Sequence, residues 1–201
     1  MKKYVIINNS FKVQSILSGG QLMKKIVIIS ASPRKEGNSD ILCDKFVEGA
    51  TDAGHQTEKI FLRDKDINYC MGCGYCSISG FNGCAKNDDM DSILDKMIAA
   101  DVIVFATPIY FCAIAGQLKT FIDRIYAKYT KIKNKEFYYI MTAGKDDYET
   151  IQHALGEFKG LLRYLANSQE KGYVFAGGVT QKGDIKDTEY MQQAYNMGKN
   201  V

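Results

Sequence analysis

IVIISASPRKEGNS, residues 26–39, runs from an unbroken apolar stretch through a serine-rich loop into a helix start. Ile26, Val27, Ile28 and Ile29 lack the apolar–polar alternation of a half-exposed strand, so 26–30 reads as a strand covered on both faces. Such a strand belongs in a parallel sheet between helices. The chain beyond it repeats the pattern, with further strands expected at 57–62, 102–106, 137–142 and 173–176. Helices are expected at 39–53, 89–100, 115–127, 148–166 and 188–197, the last stopped by Gly198. Strict alternation predicts an α/β fold: a doubly wound five-stranded parallel sheet with helices on both faces. Sheets of this kind bind ligands outside the carboxyl ends of their strands, where strand order reverses.

The loop after the first strand has anion chemistry. A helix amino terminus offers unpaired N–H groups and the positive end of a dipole. Ser30, Ser32, Asn38 and Ser39 add neutral donors, Gly37 lets backbone come close, and Arg34 supplies a forked cation. Each dipole or cap effect contributes about 0.3–1 kcal/mol when exposed, so firm binding needs several together. The plainer alternative is that Asn38 and Ser39 cap the helix while Pro33 makes a turn. No G-x-G-x-x-G follows the strand, which argues against a dinucleotide as the resident ligand. One phosphate on a serine-rich loop suits a mononucleotide such as FMN, which sits at the switch point of sheets ordered 2-1-3-4-5.

Two more loops lie at expected carboxyl ends. Thr107, Pro108, Ile109, Tyr110 and Phe111 combine a stiff turn, backbone amides and flat aromatic surfaces suited to a planar ring, or else simply plug the core. Thr142, Ala143 and Gly144 are small enough for close backbone approach.

Between the second strand and second helix, INYCMGCGYCSISGFNGC places Cys70, Cys73, Cys76 and Cys84 in a glycine-punctuated loop, 70–84. Three thiolates at steps of three can wrap an inorganic core, and the fourth can close the cage, so one [4Fe-4S] cluster is the first reading. Zinc and free redox-active thiols are the alternatives. Cys43 and Cys112 fall outside the spacing and read as small buried hydrophobes. His55 and His153 read as structural or surface residues, and with the chemistry expected on bound cofactors no side chain need act as a nucleophile.

With 201 residues, 46% of them hydrophobic, the chain can bury a core on both faces of one sheet. A net charge of +3 with interleaved signs excludes a basic stripe for nucleic acid, and no apolar run approaches a membrane span. A cytoplasmic protein is expected. Residues 1–22 stand apart: MKKYVII is echoed by MKKIVII from Met23, and this segment reads as an accessory or disordered extension before a domain at 23–201.

The SASPRKEGNS loop, the cysteine loop ending in Asp88-Asp89-Met90, TPIYF with QLKTFIDR, and the terminal GYVFAGGV together resemble the iron-sulfur flavoproteins within the NADPH-dependent FMN reductase branch of flavodoxin-like proteins. The resemblance runs from Lys24 to Gly198. It implies that Ser32, Arg34, Asn38 and Ser39 hold the FMN phosphate, that Pro108 to Phe111 line the ring with Thr142 to Gly144 flanking it, and that the four cysteines ligate the cluster. It further implies a homodimer or homotetramer. The activity expected is electron transfer between NAD(P)H or a ferredoxin and a small-molecule or protein acceptor. Rival readings are a cluster-free NAD(P)H:quinone or azo reductase, a non-enzymatic flavodoxin-like carrier, and a redox sensor using cysteine pairs.

Overall fold

The computed structural model describes residues 22–78 and 82–201, with the backbone of two short paired strands, β1 (Tyr4–Val5) and β2 (Gln14–Ser15). The expected extension at 1–22 lies almost wholly outside the described residues. The main sheet contains β3 (Lys25–Ser30), β4 (Gln56–Phe61), β5 (Val102–Tyr110), β7 (Glu136–Thr142) and β8 (Gln169–Ala176). Its order is β4-β3-β5-β7-β8, all parallel, which is the expected 2-1-3-4-5 arrangement. The five expected parallel strands are joined by a short sixth. β6 (Ala113–Ile114) folds back antiparallel on the end of β5.

The β-branched runs are central because both their faces are buried. Val27 and Ile29 pack with Met90, Ile93, Leu94, Leu118, Phe121, Leu155 and Phe158, the apolar faces of α2 (Met90–Ala99), α3 (Gly116–Ile125) and α4 (Tyr148–Leu162). Ile26 and Ile28 point the other way, onto Leu42, Cys43 and Phe46 of α1 (Asn38–Asp52) and Ala194 of α5 (Tyr190–Lys199). Fully burying each such side chain stabilises the fold by roughly 1.5–3 kcal/mol.

Three local expectations are corrected. Gly198 does not stop α5, which continues to Lys199; a Cβ there would overlap Phe46 O, just as one at Gly49 would overlap Tyr195 O. These glycines let α1 and α5 touch backbone to backbone. Pro108 lies within β5, paired with Thr142, and the turn comes later at Phe111 and Cys112, whose φ values are 50° and 62°. Cys112 is consequently exposed rather than buried, whereas Cys43 is buried as expected. His55 is structural: it accepts from Lys24 N at 3.3 Å through Nδ1 and pairs through Nε2 with Val201 O at 3.1 Å.

Candidate functional site

A cleft of about 190 Å³ opens at the carboxyl edge of the sheet, where the chain leaves β3 toward β4 on one side and β5 lies on the other. Ser32, Arg34, Gly37, Asn38 and Ser39 line it from the loop before α1; Pro108, Ile109 and Tyr110 from the end of β5; Thr142, Ala143 and Gly144 from the end of β7. Three separate stretches singled out in the sequence thus converge on one site. A larger groove, about 560 Å³, lies at the opposite end of the strands beside Lys25, His55 and Lys96. In sheets of this type ligands bind at the carboxyl edge, which selects the smaller cleft.

Not every expected residue faces it. Ser30 is buried inside β3, and Thr107 is spent on the hairpin, accepting from Ala115 N at 3.0 Å and donating to Pro108 O at 2.8 Å. Phe111 is fully exposed at the turn beyond the lining. Two lining residues, Val179 and Thr180, went unread. Gly177-Gly178 was their signal: Gly178 takes φ +74°, and a Cβ at Gly177 would overlap Asp146, so only glycines carry the chain from β8 to the cleft wall. Val179 N then donates to Ala143 O at 3.0 Å.

Several expected phosphate ligands hold the site together. Arg34 donates to Thr180 O at 3.0 Å. Asn38 donates to Gln181 O at 2.8 Å and accepts from Gly183 N at 2.9 Å. Ser32 Oγ donates to Arg34 O at 2.9 Å. What remains for a ligand is the helix end itself. Gly37 is the N-cap of α1, and no side chain caps that terminus, in contrast to α4, where Asp147 accepts from Thr150 N. Ser39 Oγ is buried in the lining with no hydrogen-bond partner among the described residues. An uncapped helix end with an orphaned hydroxyl fits one phosphate. A Cβ at Gly37 would come within 2.7 Å of Ser32 Oγ, so glycine keeps this turn open. Tyr110 and Ile109 supply apolar surface for a ring at the adjoining wall.

The cysteine loop rises from the same edge after β4. Its residues 79–81 lie outside those described. Cys70 and Cys73 are exposed, Cys76 and Cys84 half-buried, and all are unbridged. Gly72 and Gly74, with φ +63° and +75°, make turns that side chains disfavour. The first of them donates its N–H to Cys70 Sγ at 3.5 Å. Burial raises the Cys76 thiol pKa, and proximity to Cys84, Cys70 and Cys73 pushes it the same way. Among the described residues no group of three or more His, Cys, Asp or Glu is assembled for a metal ion. Four thiols with amide donors nearby are nonetheless the donor set that an iron–sulfur cluster requires.

The loop is fastened firmly. Asp88 and Arg124, with side chains 3% and 1% exposed, form a two-pronged ion pair, and Arg124 also donates to Asn68 O at 3.1 Å. Asp89 accepts from Asp66 N at 2.9 Å, and Asp91 accepts from Cys84 N at 3.1 and 3.2 Å. Lys119 and Asp123 pair with each other on the surface of α3.

A family model described as NADPH-dependent FMN reductase matches residues 24–164. An iron-sulfur flavoprotein of Methanosarcina thermophila is 32% identical over 185 residues, covering 88% of this chain and 93% of that one. An iron-sulfur flavoprotein of Archaeoglobus fulgidus is 39% identical over 101 residues, half of this chain; the chain spans only 45% of that relative's length. The solved NAD(P)H:quinone oxidoreductase from Methanothermobacter marburgensis superposes with a TM-score of 0.69 over 89% of this chain and 96% of its own, at 18% identity, a likeness of fold.

Proposed function

The chain belongs to the NADPH-dependent FMN reductase family, and from that premise we propose that it is an FMN-dependent oxidoreductase passing electrons from NAD(P)H to an acceptor, with a [4Fe-4S] cluster on Cys70, Cys73, Cys76 and Cys84. The observation that carries the FMN reading is the uncapped N-terminus of α1, with the orphaned Ser39 Oγ, at the switch point of the sheet. Bound there, FMN would take up an electron pair from reduced nicotinamide and release it in one- or two-electron steps. The protein places the group. Ser39 Oγ and the first N–H groups of α1 would hold the phosphate, Arg34 would add positive charge, and Ile109 and Tyr110 would flank the ring opposite Ala143 and Gly144. The cluster would move electrons singly, which lets a two-electron donor serve a one-electron partner. Its four cysteines lie on a loop braced by the buried Asp88–Arg124 pair.

Among the described residues no helix is long and apolar enough to cross a membrane. A second reading rests on the exposure of Cys70 and Cys73: a cluster-free NAD(P)H:quinone or azo reductase with free thiols. The test is anaerobic mixing of the flavin-loaded protein with NADPH or NADH. Full loss of flavin absorbance with one equivalent of nicotinamide supports the reductase. Bleaching by reduced ferredoxin alone would instead indicate an electron carrier.

A further inference from the structure

We propose that Arg63, which does not line the cleft, is a positioning residue that sets how tightly the 32–39 loop grips a phosphate, with the buried Asp40 as its anchor. The inference rests on the FMN reading of the cleft. Arg63 lies in the short turn after β4, and its NH1 donates toward Ser32 O and Arg34 O, each at 3.4 Å, and toward Asp40 Oδ2 at 3.5 Å. The guanidinium stacks on the Phe61 ring, 4.2 Å from its centroid. A single guanidinium nitrogen, NH1, therefore reaches two carbonyls of the loop and the Asp40 carboxylate, while the planar group is held against Phe61.

That hold has a definite consequence. In a planar trans peptide the C=O and N–H point to opposite sides, so fixing Arg34 O fixes the Lys35 N–H on the side away from Arg63. Arg34 O is the hub of the turn, accepting also from Ser32 Oγ at 2.9 Å and Gly37 N at 3.1 Å. Asp40 completes the frame. Its Oδ2 accepts from Glu36 N at 3.0 Å, holding a non-glycine residue at φ 54°, a backbone conformation that needs support.

Asp40 also poses an electrostatic problem. A carboxylate in the first turn of α1 would repel a phosphate arriving at that terminus. Here it is 5% exposed, outside the cleft lining, and flanked by Arg63 and by Lys59, whose Nζ lies 3.0 Å from Oδ1. Each cation has a second acidic neighbour, Asp44 for Lys59 and Asp64 for Arg63, and Arg63 is the one that both pairs with Asp40 and reaches the Ser32 and Arg34 carbonyls. Arg63 thus shapes the phosphate turn and shields it from a built-in negative charge.

The test is titration of the flavin-free protein with FMN and with riboflavin, which lacks the phosphate, followed by flavin fluorescence. Arg63→Met is expected to weaken FMN about tenfold or more, the scale of one charge-assisted hydrogen bond, while riboflavin changes less than about twofold. Arg63→Lys should recover only part of the loss, because an ammonium cannot reproduce the planar stack on Phe61 that places NH1 at the loop carbonyls. The ³¹P resonance of bound FMN should shift in Arg63→Lys. If Arg63→Met fails to fold, Arg63→Lys and Arg63→Gln carry the same comparison. Equal weakening of FMN and riboflavin, or unchanged FMN affinity in the variants, overturns the role of Arg63. Wild-type protein that shows no preference for FMN over riboflavin overturns the FMN reading itself, a result distinguishable from the other two.

Discussion

At the scale of single residues, the most consequential pair outside the cleft is Asp88 with Arg124. Burial alone would raise the Asp88 pKa, but the Arg124 guanidinium and the Met90 N–H hold it below the usual carboxylate range. Its contribution to stability is therefore complete above the unfolded-state value of about 3.9 and is lost as pH falls through the lower folded value. Arg124→Met leaves a buried carboxylate without its partner and should cost about 3–5 kcal/mol in denaturant melts. In that variant the 70–84 loop should become protease-sensitive at neutral pH, whereas in the wild type it should resist until pH drops below the carboxylate range. Protection that persists in Arg124→Met would show that the pair does not brace the loop. The DDM motif was legible as part of a resemblance; its physical role was not, because Arg124 lies 36 residues away on α3.

At the scale of elements, glycine misled where its neighbours were distant in sequence. A glycine near a helix end reads equally as a stop or as a crossing point, and Gly198 is the latter. Gly198→Ala should destabilise by about 2–3 kcal/mol, because the obstructing atom is α1 backbone rather than a flexible side chain. Gly156 on α4 meets nothing within 4 Å, so Gly156→Ala should stabilise by about 0.4–1 kcal/mol. Paired urea melts decide both, and equal effects would contradict the packing described. The strands were easier to read. Ile26 to Ile29 and Val102 to Ala106 are apolar on both faces, and that pattern has few other uses. The β5–β6 hairpin escaped notice because Phe111 and Cys112 occupy its left-handed turn instead of the Asn-Gly pairs that announce one.

At the scale of the whole molecule, strand order brings the site together. Placing β3 beside β5 puts the 32–39 loop against Pro108 to Tyr110, and β7 and β8 complete the wall with Thr142 to Gly144 and Val179–Thr180. The local chemistry of each loop was readable, since serines, small residues and aromatics lay at strand ends. What each side chain does was not. Arg34 and Asn38 are committed to Thr180, Gln181 and Gly183, contacts that exist only after β8 has docked, and Ser39 is left as the hydroxyl without a partner. The cysteine loop emerges at the same edge, on the β4 side. The decisive measurement is an anaerobic visible spectrum of freshly purified protein, with FMN, iron and acid-labile sulfide quantified per chain. About one FMN with about four iron and four sulfide is the expected result. FMN without iron after anaerobic reconstitution would contradict the cluster, and a protein that retains neither would contradict the reading of the cleft as well.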